Sequence, residues 1–131
     1  MYNDIGVEVV DLTDSTFEEW LDRILKDYNQ NTAAFNFNVY DNKNGLFSIE
    51  LVGCPLFDRN NDDWASEELY ASRDHFSMYD YYCPEREIAL HKICKQITQY
   101  LAKGEYAYVL KKSQAVACGF IDSDLKMLYH E

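Results

Sequence analysis

The sequence predicts an α+β domain, a mostly antiparallel β-sheet of about five strands with two amphipathic helices packed on one face. Three observations predict it. Apolar residues recur at helical spacing over 16–29 and again over 85–103. Alternating stretches at 33–40 and 46–52 flank a tight turn, and three more apolar runs close the chain. Nothing shows the strand–helix–strand rhythm of a parallel sheet. The 131 residues make a single globular domain, 1–131, long enough for a core. With 47% hydrophobic residues and eleven tyrosines the composition is that of a folded chain.

Residues 5–10, IGVEVV, read as a short first strand. Ser15 and Glu18 have the spacing of a capping box, in which the hydroxyl accepts from a free backbone N–H and the carboxylate reaches back. Phe17, Trp20, Leu21, Ile24, Leu25 and Tyr28 follow as the apolar stripe of the first helix. In AAFNFNVY, Phe35, Phe37 and Val39 point one way and Asn36, Asn38 and Tyr40 the other. DNKNG is a turn with positive φ at Asn44-Gly45, and in LFSIELV the alternation sets Phe47, Ile49 and Leu51 against Ser48 and Glu50. This is a hairpin with one buried face, ended by Gly53, Cys54 and Pro55.

Pro84 fits the first turn of the second helix, and Glu85 and Glu87 suit the positive end of its dipole. Leu90, Ile93, Cys94, Ile97, Tyr100 and Leu101 mark its buried stripe, and Lys103 and Gly104 supply a C-terminal charge and cap. YAYVL, AVACGFI and LKMLYH then read as three antiparallel strands. AVACGFI is apolar throughout and therefore central, with Gly119 marking a bulge or a close approach.

Residues 58–87 follow neither period. They hold nine carboxylates against three arginines, interleaved with Trp64, Tyr70, Phe76, Tyr79, Tyr81 and Tyr82. DWASEEL makes a helical turn. HFSMYDYY reads as a strand with Phe76 and Met78 on one side and Tyr79 and Tyr81 on the other. Carboxylates repel one another, so a fold gains nothing by clustering them. Such a stretch reads as a recognition surface. The plainer alternative is a solvated loop whose aromatics pack inward.

The net charge of −11 repels nucleic acid and anionic membrane and attracts basic proteins. Residues 1–31 and 58–87 each sum to −6, whereas 88–131 sum to +2. If the two acidic segments meet, they form one negative face. No apolar run is long enough to cross a bilayer and no signal peptide is evident, so a cytoplasmic protein with reduced thiols is expected.

Signs of catalysis are weak. Cys54, Cys83, Cys94 and Cys118 include no CxxC pair. His91 and Cys94 share a helix face, but no spacing supplies a full set of zinc ligands, so a core cysteine beside a rim histidine is the simpler reading. Ser72, Asp74 and His75 are neighbours in sequence, whereas a triad needs geometry. There is no GxSxG, HExxH or phosphate-binding glycine loop. No cofactor, metal or catalytic residue is expected.

The C-terminal half resembles a known class of protein. A helix ending YLAKG precedes YVLKKSQAVACGFIDSDLKML, behind a region of scattered aromatics and acids. This is similar to the ending of some small bacterial immunity proteins of polymorphic or contact-dependent toxin systems. The resemblance covers about half the chain and implies a noncatalytic cytoplasmic inhibitor of a cognate toxin domain, often a basic nuclease. It carries over no binding residues, because immunity families use unrelated folds. From charge and aromatics alone, the expected partner contacts are among Asp62, Asp63, Trp64, Glu67, Glu68, Tyr70, Asp74, Tyr79, Asp80, Tyr81 and Tyr82. An acidic nucleic-acid mimic or adaptor for a host protein, and a small enzyme with a Cys/His site, are the alternatives.

Overall fold

The computed structural model describes residues 10–121 and 123–131. It is α+β, with a mixed sheet of seven strands and three α-helices. The strands are β1 (Val10–Asp11), β2 (Ala34–Asp41), β3 (Leu46–Cys54), β4 (Tyr70–Ala71), β5 (Tyr79–Tyr82), β6 (Ala115–Phe120) and β7 (Lys126–His130). The helices are α1 (Phe17–Lys26), α2 (Arg86–Lys103) and α3 (Ala107–Lys111). The order across the sheet is β1-β5-β3-β2-β6-β7, with β4 also on β3. Of the first strand expected over 5–10, residues 5–9 lie outside the described residues.

The hairpin is the most regular element. Ala34 pairs with Cys54 and Asp41 with Phe47, antiparallel throughout, and the turn holds Lys43, Asn44 and Gly45 at positive φ. Its apolar face carries Phe35, Phe37, Val39, Phe47, Ile49 and Leu51. These pack against the stripes of α1 and α2 to form the main core, joined by Tyr79, Tyr81, Cys83, Val116 and Cys118. The nine residues of β3 exceed what one short partner can pair. Tyr79–Tyr82 serves its first half and Tyr70–Ala71 its second. Between them, the buried Ser72 hydroxyl accepts the Leu51 N–H at 2.9 Å, which keeps the ladder satisfied across the gap.

Several local expectations are corrected. The cap of α1 is Thr16, not Ser15. The Thr16 hydroxyl accepts the Glu19 N–H at 3.2 Å, and Glu19 Oε1 accepts the Thr16 N–H at 3.0 Å. STFEE offers the capping-box spacing in two registers, and either keeps the same apolar stripe, so spacing alone does not choose between them. Ser15 is buried. In α2, Pro84 precedes the cap, Glu85, and so stands before the first turn. Gly104 closes α2 without a left-handed φ; its N–H donates to the Tyr100 carbonyl at 2.7 Å. The bulge in β6 lies at Val116/Ala117. Gly119 marks a close approach, because a Cβ there would lie 2.9 Å from the Asp124 carbonyl.

The largest difference is in the C-terminal region. YAYVL is not a strand: Ala107–Lys111 is a short helix that buries Ala107 and Leu110, one turn apart. Ser113 ends it, donating to Leu110 and Ala115 carbonyls at 2.7 and 3.0 Å. The chain crosses over through α2 and α3, and β6 enters parallel to β2, pairing Ala34 with Ala115 through Val39 with Phe120. The other pairings are antiparallel.

Candidate surface for partner binding

The helices cover one face of the sheet. On the other, residues 55–78 leave β3, cross part of the face and return as β5. A second, smaller core fixes this excursion. Trp64, in a 3-10 turn at Asp62–Ser66, is buried with Ala34, Val52, Cys54, Ala71, Ala115 and Ala117. Phe57 meets its ring edge-on at 5.3 Å. The turn forms because Asn61 caps it, its side chain accepting the Asp63 N–H at 2.8 Å.

With Trp64 turned in, the carboxylates of the same segment turn out. Asp62, Asp63, Glu67, Glu68 and Asp74 are exposed, as is Asp80 on β5. Tyr70 is half-buried, stacked on His75 at 5.2 Å and meeting Tyr28 edge-on at 4.9 Å. Tyr82 is exposed. Three of the expected contacts are corrected: Trp64, Tyr79 and Tyr81 are core residues. Tyr79 and Tyr81 occupy alternate inward positions of β5, stacked on each other at 5.8 Å, with Tyr79 edge-on to Phe17. The period of two expected for HFSMYDYY holds only over Tyr79–Tyr82. For these three rings the plainer alternative is the right one.

Beside the excursion lies a polar network built by the outward-facing positions of the hairpin. Glu50 is its centre, a carboxylate with no solvent exposure. Arg73 Nη1 donates to Glu50 Oε1 at 2.6 Å, Asn38 Nδ2 donates to Oε2 at 3.2 Å, and the Tyr40 hydroxyl also donates to Oε2. Arg73 reaches Glu68 as well, with Nη2 to Oε1 at 2.6 Å and Nη1 to Oε2 at 3.1 Å. One guanidinium thus clips the excursion to the sheet at Glu50 and ties Glu68 to Arg73 within the excursion. These bonds, Glu68 first, hold the Arg73 cation well above its ordinary basicity. Burial, followed by the Glu50 carboxylate, pushes the Tyr40 hydroxyl up to about 12, which keeps it a donor at neutral pH. Asn36 donates to Asn38 at 2.7 Å. Farther along the face, Asn42 donates to Ser48 and Ser48 to Asp80, at 2.8 and 2.6 Å.

The sequence did not single out this network as a site. Its signal was present in part, since alternation put Asn36, Asn38, Tyr40, Ser48 and Glu50 on one face. The approach of Arg73 from 23 residues away was not legible.

The thiols are buried. Burial, then the charges of Glu68 and Glu67, pushes Cys54 up to about 12. Its hydrogen bond with Cys94, with burial, holds Cys118 well above the ordinary thiol range. The Ser72 hydroxyl accepts the Leu51 N–H, and the exposed His75 ring stacks on Tyr70. Among the described residues, no group of three or more His, Cys, Asp or Glu side chains is arranged to hold a metal ion, and no helix is long and apolar enough to cross a membrane. Compared with known proteins, the chain matches no family model, no curated protein and no solved structure.

Proposed function

We propose that this is a noncatalytic binding protein, an immunity protein that binds and neutralises a cognate bacterial toxin domain, a basic nuclease. One observation carries the reading. The carboxylates of the excursion are displayed outward from a segment fastened to the sheet by Trp64 in the second core, by β4 and Ser72 on β3, and by Arg73 on Glu50. A like-charged cluster costs the free protein stability, so its retention on an anchored segment favours a role in meeting positive charge. A nuclease must present a positive surface to phosphate. An acidic face steers toward such a surface, docks quickly and occludes it. The exposed members of the expected set, Asp62, Asp63, Glu67, Glu68, Asp74 and Asp80 with Tyr70 and Tyr82, form the proposed contact surface. The pattern of the C-terminal half, similar to that of some immunity proteins, points the same way.

The test is protection. A basic toxin domain, sought first in the genes adjacent to this one, is expressed with the wild-type chain or with a variant reversed in charge at Asp62, Asp63, Glu67 and Glu68. The wild type is expected to rescue growth and to co-purify with the domain, and the folded variant to do neither. Equal protection by the variant removes the surface from the proposal. Failure of the wild type to protect removes the function.

A further inference from the structure

The sheet face that carries the polar network ends in an apolar row at the β1–β5–β3 edge. Val10 pairs with Tyr82, and Tyr82 pairs with Leu46. Cross-strand partners share a face, so the three side chains stand side by side across three hydrogen-bonded strands, opposite the helices. They are 44%, 38% and 42% exposed, and Leu12, next but one along the chain from Val10, is 50% exposed. The alternative position of β5, Tyr81, is buried, so the row is not a frayed end of the core. The Tyr82 ring is seated against the hairpin turn, where a Cβ on Gly45 would fall 2.6 Å from its Cε1. Single exposed apolar residues are ordinary; a contiguous row on a paired sheet is not.

The charge around the row selects its occupant. Asp80 lies two residues from Tyr82 on the same face, held by Ser48, and Asp14 and Glu85 are exposed where the chain leaves β1 and β5. Lys43 is the one base in the hairpin, and Arg86, four residues beyond Tyr82, is paired with Asp41 at 3.4 Å. A second copy of a chain with net charge −11 is opposed here by its own field, whereas a basic protein is drawn in. We infer that the row Val10–Tyr82–Leu46 is the apolar centre of a docking surface for a basic protein, which presents aliphatic or aromatic side chains flanked by lysine or arginine. The inference rests on the proposed function and adds to it the place where the partner is anchored. The acids of the excursion, at the far end of β3 from Leu46, then steer the partner, and Asp80 lies at the rim of the row. The row supplies the desolvated contact that slows dissociation, in keeping with an apolar centre and a polar rim.

Two fluorescein-labelled peptides of equal charge serve as probes, one alternating lysine with leucine and the other lysine with serine. Binding is read by anisotropy at low salt. The leucine peptide is expected to bind the wild type about tenfold tighter than the serine peptide. Leu46→Ser and Tyr82→Ser are each expected to remove most of that preference, and Leu46→Ser to leave serine-peptide binding unchanged. Leu46→Ser does not disturb the Tyr82–Gly45 contact and keeps the test valid if the tyrosine variant melts early. Equal binding of the two peptides, lost on charge reversal at Asp62, Asp63, Glu67 and Glu68, overturns the row and leaves the acidic-surface reading standing. Binding of neither peptide overturns both. A wild-type dimer by sedimentation that Leu46→Ser dissociates assigns the face to a second copy and overturns the inference.

Discussion

Arg73→Met tests how the acidic excursion is fastened. The substitution keeps most of the side-chain volume and removes the cation that two carboxylates share at 2.6 Å. Removing one partner of a fully buried pair costs about 3–5 kcal/mol, because the other charge is left uncompensated. An exposed pair contributes only about 0–1 kcal/mol. Here Glu50 is fully buried and Arg73 is 38% exposed, so solvent screens one end. Tyr40 and Asn38 still donate to Glu50 after the change. Together these place the loss between the limits, at about 2–3 kcal/mol. For a domain of this size that lowers the melting temperature by roughly 6–15 °C. Glu68→Gln, which loosens only the more exposed arm, is expected to cost less than about 1 kcal/mol. Glu50→Gln combined with Arg73→Met leaves no buried charge and is expected to cost less than the sum of the two single changes. Urea unfolding of the four variants checks this. If Arg73→Met unfolds with the wild type, within about 0.5 kcal/mol, Glu50 is not held by Arg73.

Trp64→Ala is expected to cost about 3–5 kcal/mol and to speed amide exchange across the excursion, while Trp64→Phe, which removes a buried N–H that has no partner among the described residues, costs much less; differential scanning calorimetry separates the two. Tyr81→Phe, which removes a buried hydroxyl likewise without a partner, is expected to leave the melting temperature unchanged or raised. Gly45→Ala forces an alanine to φ 79° and a Cβ onto Tyr82, and is expected to cost more than about 1 kcal/mol by chemical denaturation. Tyr28 and Tyr40 ionise at about 12 in the folded chain against an ordinary value of 10.0. Their contribution is therefore fully present below the ordinary value and is lost as pH rises through the folded one. Absorbance at about 295 nm is expected to show these phenols ionising together with unfolding, and a smooth titration of the still-folded chain would contradict their burial.

The elements read correctly from sequence are those in which one period dominates and neighbours decide. The 33–40 and 46–52 stretches alternate cleanly around a turn that needs positive φ, and they fold as a hairpin with the expected faces. The stripes of α1 and α2 are equally plain. Errors arose where local sequence supports two structures. STFEE contains two overlapping capping boxes. YAYVL is apolar at both strand and helix spacings over five residues, too few to choose between them, and it folds as the helix that precedes β6. In the excursion, charge was a sound guide to exposure and aromatic content was not, because Trp64, Tyr79 and Tyr81 are needed to roof and fill a sheet whose long third strand has two short partners. The Glu50–Arg73 pair and the Val10–Tyr82–Leu46 row both depend on strand register between distant segments, which no local pattern encodes.

The most direct measurement of the central claim is the rate at which the wild-type chain associates with the proposed cognate toxin domain, followed by stopped-flow fluorescence across ionic strength. Steering by the acidic excursion predicts a fast association that falls steeply as salt rises, together with a slower rate and a flatter salt dependence when Asp62, Asp63, Glu67 and Glu68 are reversed in charge. A rate independent of salt, or one that the reversal leaves unchanged in a folded variant, would contradict it.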